Sequence, residues 1–226
     1  MAMSPKNGSV NRIAKAEPPT SEDRQVTISA PNLQTAEIRI WGTAPYVQEK
    51  FDHKVRQKIH ATQAAGSTSK KGSKREPKDF MAAYEGAMHR GPKGEHGIPA
   101  TAFRNAMISA CRLAGFHMTK AKLSVFVLAD FYDRDEGTPL IAIDGLPEYS
   151  EMAVRNDSGV VDLRARPMWR EWGATVRVQF DADQFTLRDV CNLMARVGMQ
   201  VGIGAGRPDS KSSAGMGWGL FSLEGQ

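Results

Sequence analysis

The sequence predicts an α+β chain built on a ferredoxin-like, RRM-type antiparallel sheet with helices on one face, extra hairpins and a helical insertion. Three observations lead there. Short segments such as Ala36–Trp41 and Ala174–Phe180 alternate apolar and polar residues, the period of half-buried strands. Two segments, one after Pro99 and one after Thr186, gather their apolar residues on a single helical face. The order strand, helix, strand then occurs twice, as that fold requires.

Residues 1–24 are rich in Pro, Ser, Lys and Glu and poor in large apolar groups. Such a segment cannot repay the entropy of ordering, so a disordered tail is expected before one domain over 25–226. Gln25–Ala30 and Ala36–Trp41 read as strands, with Val26, Ile28, Ile38 and Ile40 on one side. A basic helical insertion follows at about 43–97. It contains a polar helix over Lys50–Ala65, an exposed loop over Gly66–Lys78 with five Lys/Arg, and a helix over Asp79–His89.

Pro99 suits the first turn of the next helix, where its fixed φ and missing N–H cost nothing. Ala100, Phe103, Met107, Ala110, Cys111 and Ala114 form its buried arc, and Gly115 stops it. Leu123–Ala129 is a continuous apolar run, expected as a central strand covered on both faces, with Leu140–Ile143 as its partner across an acidic turn. Val160–Ala165 is a further short strand, and in Ala174–Phe180 the residues Val176, Val178 and Phe180 share one face. Thr186, with Asp189 three residues on, caps a helix whose stripe is Leu187, Val190, Cys191, Met194 and Val197, ended by Gly198. Trp218–Leu223 closes the chain as a strand.

Thirty Lys plus Arg against 25 Asp plus Glu give a net charge of +5 and a pI near 9.3, which favours polyanionic partners. Cys111 and Cys191 fall on helix faces without CxxC or His/Cys spacing, so free thiols are expected and no metal or cofactor. No apolar run reaches the roughly 20 residues of a membrane span, and the chain is expected in the cytoplasm.

Val201–Glu224 places six glycines with Arg207 and Lys211 between the last helix and the last strand. Glycine lets backbone approach a phosphate, while the alternative reading gives these glycines only turns to make. Two segments extend the first reading. Gly97–Arg112, GIPATAFRNAMISACR, resembles the Ile-Pro-Gly-Ser-Ser-x-Lys-Gly-x-x-Arg segment that opens the first helix in the RAMP superfamily, the backbone subunits of type III and type IV CRISPR effector complexes. FDADQFTLRDVCNLMARVGMQVGIGAGRP, running into SAGMGWGLFSLE, resembles that family's last strand, helix, glycine-rich loop and terminal strand. Ala100 and Asn105 stand where the family has glycine, Thr101 and Ala102 where it has a serine pair, and Ile108 where it has a basic residue. In size and loop the chain also looks like proteins encoded in bacteriophage genomes, which places it in a bacterial host cell.

The resemblance implies binding of single-stranded RNA or DNA along its backbone by a row of identical subunits. The residues offered for it are Thr101, Arg104 and Arg112 on the first helix, with Lys70, Lys71, Lys74, Arg75 and Lys78 in the basic loop. Gly204, Gly206, Arg207 and Lys211 come from the glycine-rich stretch. Arg164, Arg166 and Arg170 surround Trp169 and Trp172, and Trp172 is the candidate for stacking on bases. Against each stands an ordinary role: solvated helix arginines, a solvated loop, tryptophans of the core.

No GxxxxGK[ST], GxSxG or HExxH motif occurs, and a non-enzymatic protein is expected. One alternative is a ribonuclease using Asp79 or a histidine among His53, His60, His89 and His96. The other is a phage or plasmid assembly protein that uses the same fold to dock proteins.

Overall fold

The computed structural model describes residues 29–51, 78–155, 161–210 and 215–225. The chain divides into Met1–Pro31 and Asn32–Gln226, and every element below belongs to the second unit. The expected tail, nearly all of the 50–65 helix and the 66–78 loop, and most of the 25–30 strand lie outside the described residues.

In chain order the elements are β1 (Leu33–Gly42), β2 (Tyr46–Val47), α1 (Phe80–Gly86), β3 (Gly97–Pro99), α2 (Ala100–Cys111), α3 (Met118–Ser124) and β4 (Val125–Leu128). Then come β5 (Phe131–Tyr132), β6 (Pro139–Ala142), β7 (Glu148–Arg155), β8 (Val161–Trp169), β9 (Gly173–Asp181), α4 (Leu187–Arg196) and β10 (Phe221–Leu223). The main sheet is antiparallel in the order β10-β1-β9-β4. With α2 between β1 and β4, and α4 between β9 and β10, this is the double strand-helix-strand arrangement of the ferredoxin-like fold.

Its centre is the pairing of β1 with β9, in register from Leu33↔Asp181 to Trp41↔Gly173. Alternation puts Ala36, Ile38 and Ile40 beside Val176, Val178 and Phe180 on the buried face. There they pack with Phe103, Met107, Val190 and Met194 of α2 and α4. That burial is the main stabilising term, since each large side chain removed from water contributes about 1.5–3 kcal/mol.

The apolar run at 123–129 is not a central strand. Leu123 lies in α3 and is exposed, and β4 pairs with β9 alone at the edge of the sheet, where one covered face suffices. Residues 140–143 do not pair with it either. β6 instead joins β3 and β5 in a small separate sheet, and the Asp130 carboxylate accepts the Ala142 N–H at 2.9 Å. The strand expected at 160–165 runs on to Trp169 and forms a long hairpin with β7. The β7 sequence, EYSEMAVR, has no clean one-sided alternation to announce it.

Gly115 and the Thr186–Asp189 pair keep their expected roles, while Pro99 is the N-cap of α2 rather than part of its first turn. Gly115 adopts φ +69° and Phe116 donates to the Cys111 carbonyl at 3.0 Å, closing α2. Thr186 and Asp189 form the full capping box of α4. Gly198 does not end that helix. The chain continues through a π-helical turn, Val197–Val201, to Gly202 at φ +71°, and Gly198 is small because a Cβ there would run into the Phe221 carbonyl of β10. Leu187 is exposed, so the stripe of α4 starts at Val190. β10 starts at Phe221 rather than Trp218.

Gly219 tests how closely the last loop is packed. It has φ +68°, and a Cβ would collide with the Ile203 carbonyl, whereas Gly217 at φ +73° faces open space. Gly219→Ala is expected to cost about 3 kcal/mol or more and to lower Tm by roughly 6–12 °C, while Gly217→Ala costs about 1 kcal/mol. Thermal denaturation of the two variants measures the difference.

Candidate nucleic-acid interface

The segments that open at Pro99 and at Val201 meet across one pocket of about 320 Å³. Pro99, Ala102, Asn105, Ala106 and Ser109 line it from the start and body of α2, and Val201, Ile203, Gly204, Ala205, Arg207 and Asp209 line it from the glycine-rich stretch. Gln48, Glu49 and His89 complete the lining. Pro99 is the N-cap of α2 and no side chain caps the helix, so its first-turn N–H groups have no capping partner.

The glycine-rich loop is fastened on its inner side. Ala205 N–H donates to the Val47 carbonyl at 2.9 Å, Gly219 N–H to Pro45 at 2.8 Å and Ile203 N–H to Gly219 at 3.1 Å. Gly204, at φ +76°, is small because a Cβ would press on the Tyr46 ring and the Val47 carbonyl. These glycines therefore do make turns. The backbone N–H groups of Gly204, Gly206 and Arg207 nevertheless meet no acceptor among the described residues. Arg207 folds back so that Nη1 donates to the Gly204 carbonyl at 3.0 Å, leaving its other N–H groups at the pocket.

Behind this pocket lies a buried polar network that the sequence did not announce. Lys50 Nζ donates to Asp133 Oδ1 at 2.9 Å and Oδ2 at 3.0 Å, and to Asp135 at 3.2 Å. His89 Nδ1 lies 3.0 Å from Asp133 Oδ2, and the Asp133 carboxylate also accepts the N–H groups of Asp135 and Glu136. Gln48 takes the His89 N–H at 2.7 Å and donates to the Gly97 carbonyl at 2.8 Å and the Tyr46 hydroxyl at 3.1 Å. Burial alone would raise the pKa of Asp133, but the Lys50 ammonium, the two backbone N–H groups and His89 outweigh it and hold it at about 2. For His89, burial dominates and lowers the pKa, against the pull of Asp133. Neutral His89 thus gives its Nδ1–H to Asp133 and keeps an acceptor lone pair on Nε2, which has no partner among the described residues.

The sequence-predicted residues divide. Thr101 is exposed on the first turn of α2, and Gly204 and Arg207 line the pocket. Arg104 is turned to protein: Nε donates to the Val125 carbonyl at 3.0 Å and Nη2 to Lys122, tying α2 to the start of β4. Arg112 reaches Ser109 at 2.9 Å and Asp209 at 3.4 Å. Arg166 is buried and pairs with Glu49 at 2.5 Å, Arg164 pairs with the same carboxylate at 2.8 Å, and Arg170 with Glu148 at 2.8 Å. Lys78 pairs with Asp162 at 2.9 Å.

Trp172 is a correction. It is only 4% exposed, its Nε1 donates to the Ala44 carbonyl at 2.8 Å, and its ring packs on Tyr46 and Phe221, so no face is open to a base. Asp79 caps α1 by accepting the Ala82 N–H, and His96 packs edge-on against Trp169. Lys70, Lys71, Lys74, Arg75 and Lys211 lie outside the described residues.

The charge is unevenly placed. The described residues carry 18 Lys/Arg and 19 Asp/Glu, so the surplus of positive charge lies outside them. Residues 52–77 alone hold seven Lys/Arg against two Asp/Glu.

No protein-family model and no curated protein matches the chain. Among solved structures it is similar to a chain of the Type III-B Cmr-beta complex, determined by cryo-EM bound to cognate target RNA, at 11% identity and a TM-score of 0.48. The similarity covers 85% of this chain and 59% of that one. No helix among the described residues is long and apolar enough to cross a membrane.

Asp133 gives the site a measurable signature. Its folded pKa of about 2 lies below the ordinary 3.8, so the unfolded chain takes up the proton first as pH falls. The stabilisation is complete above about pH 4 and fades towards pH 2, a loss of about 2 kcal/mol. Asp133→Asn leaves the Lys50 ammonium buried without its main partner and is expected to cost about 3 kcal/mol near neutral pH, with a flatter acid limb. Denaturant melts across pH follow both effects.

Proposed function

We propose that this chain binds single-stranded nucleic acid through its phosphate backbone, without strong sequence preference and without cleaving it, and that copies line up along the strand. The observation that carries the reading is the convergence of the uncapped first turn of α2 with the glycine-rich loop across one pocket. There, residues of an uncapped helix start, Pro99 and Ala102, line the same space as Gly204 and Arg207, whose N–H groups meet no acceptor among the described residues. Backbone N–H groups and arginine are the usual holders of phosphate oxygens.

The long-range attraction has a different source. The described residues are close to neutral, and most of their arginines are already paired with carboxylates. Lys70, Lys71, Lys74 and Arg75 belong to the segment that holds the surplus, and we assign them the salt-dependent part of binding. On this reading the chain is a remote relative of the RAMP superfamily.

Fluorescence anisotropy with a labelled single strand of about 30 nucleotides tests the reading, since phosphate neutralisation makes affinity fall with salt. Replacing Lys70, Lys71, Lys74 and Arg75 by Ser is expected to flatten the slope of log affinity against log salt by about 0.7 for each phosphate that is no longer neutralised. Arg207→Ala is expected to weaken all sequences about equally. Absence of binding at low salt, or affinity indifferent to salt, overturns the proposal.

A companion measurement addresses turnover. Labelled RNA incubated with the protein is expected to remain full length, and cleavage that disappears in Asp79→Asn or His96→Ala would replace this reading with a ribonuclease.

A further inference from the structure

The outer face of the main sheet carries an indole that the fold leaves open. α2 and α4 pack against the face of β1 that holds Ala36, Ile38 and Ile40, so the alternate residues Thr35, Glu37, Arg39 and Trp41 stand on the other side. There Trp41 is 45% exposed. Its partner across the β1–β9 pair is Gly173, where a Cβ would come within 2.9 Å of the ring at Cε3. The Arg39 guanidinium stands over the ring, 4.0 Å from its centroid, and is itself held by Asp144 at 2.5 Å and the Thr175 hydroxyl at 3.4 Å. With one face under the guanidinium and one edge on Gly173, the accessible area falls on the opposite face and the outer edge.

A single exposed apolar side chain needs no explanation by itself. This one is braced, and it is set beside the candidate interface. β1 ends at Gly42, opposite Phe221 of β10. From there Thr43 and Ala44 donate to the Leu220 carbonyl at 2.9 and 3.2 Å, Gly219 N–H donates to Pro45 at 2.8 Å, and Trp218 N–H to Gly206 at 3.3 Å, next to Arg207. This run of backbone hydrogen bonds puts the indole at the same end of the sheet as the glycine-rich loop.

We infer that Trp41, backed by Arg39, is a stacking platform for one unpaired base of a strand whose phosphate lies at the glycine-rich loop. This rests on the nucleic-acid reading above and adds to it a contact with the bases. Every base has a π-face, so such a platform strengthens binding without selecting sequence. The guanidinium and the indole are already stacked, so little rotamer freedom is lost when a flat group is laid on the open face. A protein partner fits less well, because it would use contiguous apolar area. The residues beside the ring on this face are Arg39, Thr175, Gly173 and Ser222, none of them a large apolar side chain. Arg39 is paired with Asp144, so the platform adds stacking and little long-range attraction.

Anisotropy with two labelled strands of equal length, one of single-stranded DNA and one of the same deoxyribose-phosphate chain without bases, tests the platform. The native protein is compared with Trp41→Ala and Trp41→Phe, both expected to fold because the ring is exposed. Trp41→Ala is expected to weaken binding of the base-bearing strand by about five- to a hundredfold, to leave the slope against salt unchanged, and to bind the strand without bases as the native protein does. Trp41→Phe restores a ring and is expected to recover most of the loss. Trp169 and Trp172 are buried, so quenching of tryptophan fluorescence by the base-bearing strand is expected in the native protein and largely lost in Trp41→Phe.

Equal binding of the base-bearing strand by the native protein and Trp41→Ala overturns the platform and leaves backbone binding standing. A loss of the same size on the strand without bases also overturns it, and assigns Trp41 to contacts between copies or to the fold. Quenching that persists undiminished in Trp41→Phe counts against it in the same way. Absence of binding of either strand by the native protein removes both readings.

Discussion

The buried carboxylate of Asp133 is the point on which the candidate site depends. It lies between β5 and β6, far in sequence from the residues it holds: Lys50 just past β2, and His89 between α1 and β3. A carboxylate without water is costly to bury, by several kcal/mol, unless every lone pair finds a donor. Here an ammonium, an imidazole N–H and two backbone N–H groups supply those donors. Because removing any of them leaves a buried charge short of partners, the network permits one arrangement of three segments and so fixes the back of the pocket.

The front of the pocket is held by a different force, close packing. The loop from Gly202 to Gly219 lies against residues 45–47 and against β10 at distances where a Cβ would collide with backbone. Carbonyls at Val47, Pro45 and Ile203 take up donors or block side chains, and the N–H groups of Gly204, Gly206 and Arg207 meet no acceptor among the described residues. These glycines make turns, and on the proposed reading the same turns leave the N–H groups of Gly204 and Arg207 for a phosphate.

How much of this was legible in the sequence follows from the range of the forces. Period-two and period-3.6 patterns report burial of local faces, so β1, β9, α2 and α4 were readable, and the ferredoxin-like order with them. The same patterns cannot tell an edge strand from a central one, because coverage of the second face depends on neighbours distant in sequence; the 123–129 run failed for that reason. β7, with glutamates among its apolar residues, carried no period at all. Trp172 and Arg166 were misjudged because a segment mixing arginine and tryptophan reads alike whether it faces solvent or stands on Tyr46 and Glu49. His89 was visible only as one of four histidines of the insertion; its partners at positions 48 and 133 are joined to it by no local spacing.

The separation of charge from fold bears on how such a protein would recognise a strand. In the described residues, cations are matched by anions and many arginines are structural: Arg104 ties helix to strand, Arg166 and Arg164 share Glu49, and Arg177 holds Asp130. Such groups attract a polyanion weakly, because each guanidinium already faces a carboxylate or a carbonyl. Attraction then depends on unmatched lysines and arginines, which act over a Debye length of about 8–10 Å and are indifferent to sequence. Short-range fit depends on the pocket, whose donors and acceptors are fixed by Asp133 and the glycine-rich loop. On the proposed reading, salt would act strongly on the long-range attraction and far less on the packing that shapes the pocket.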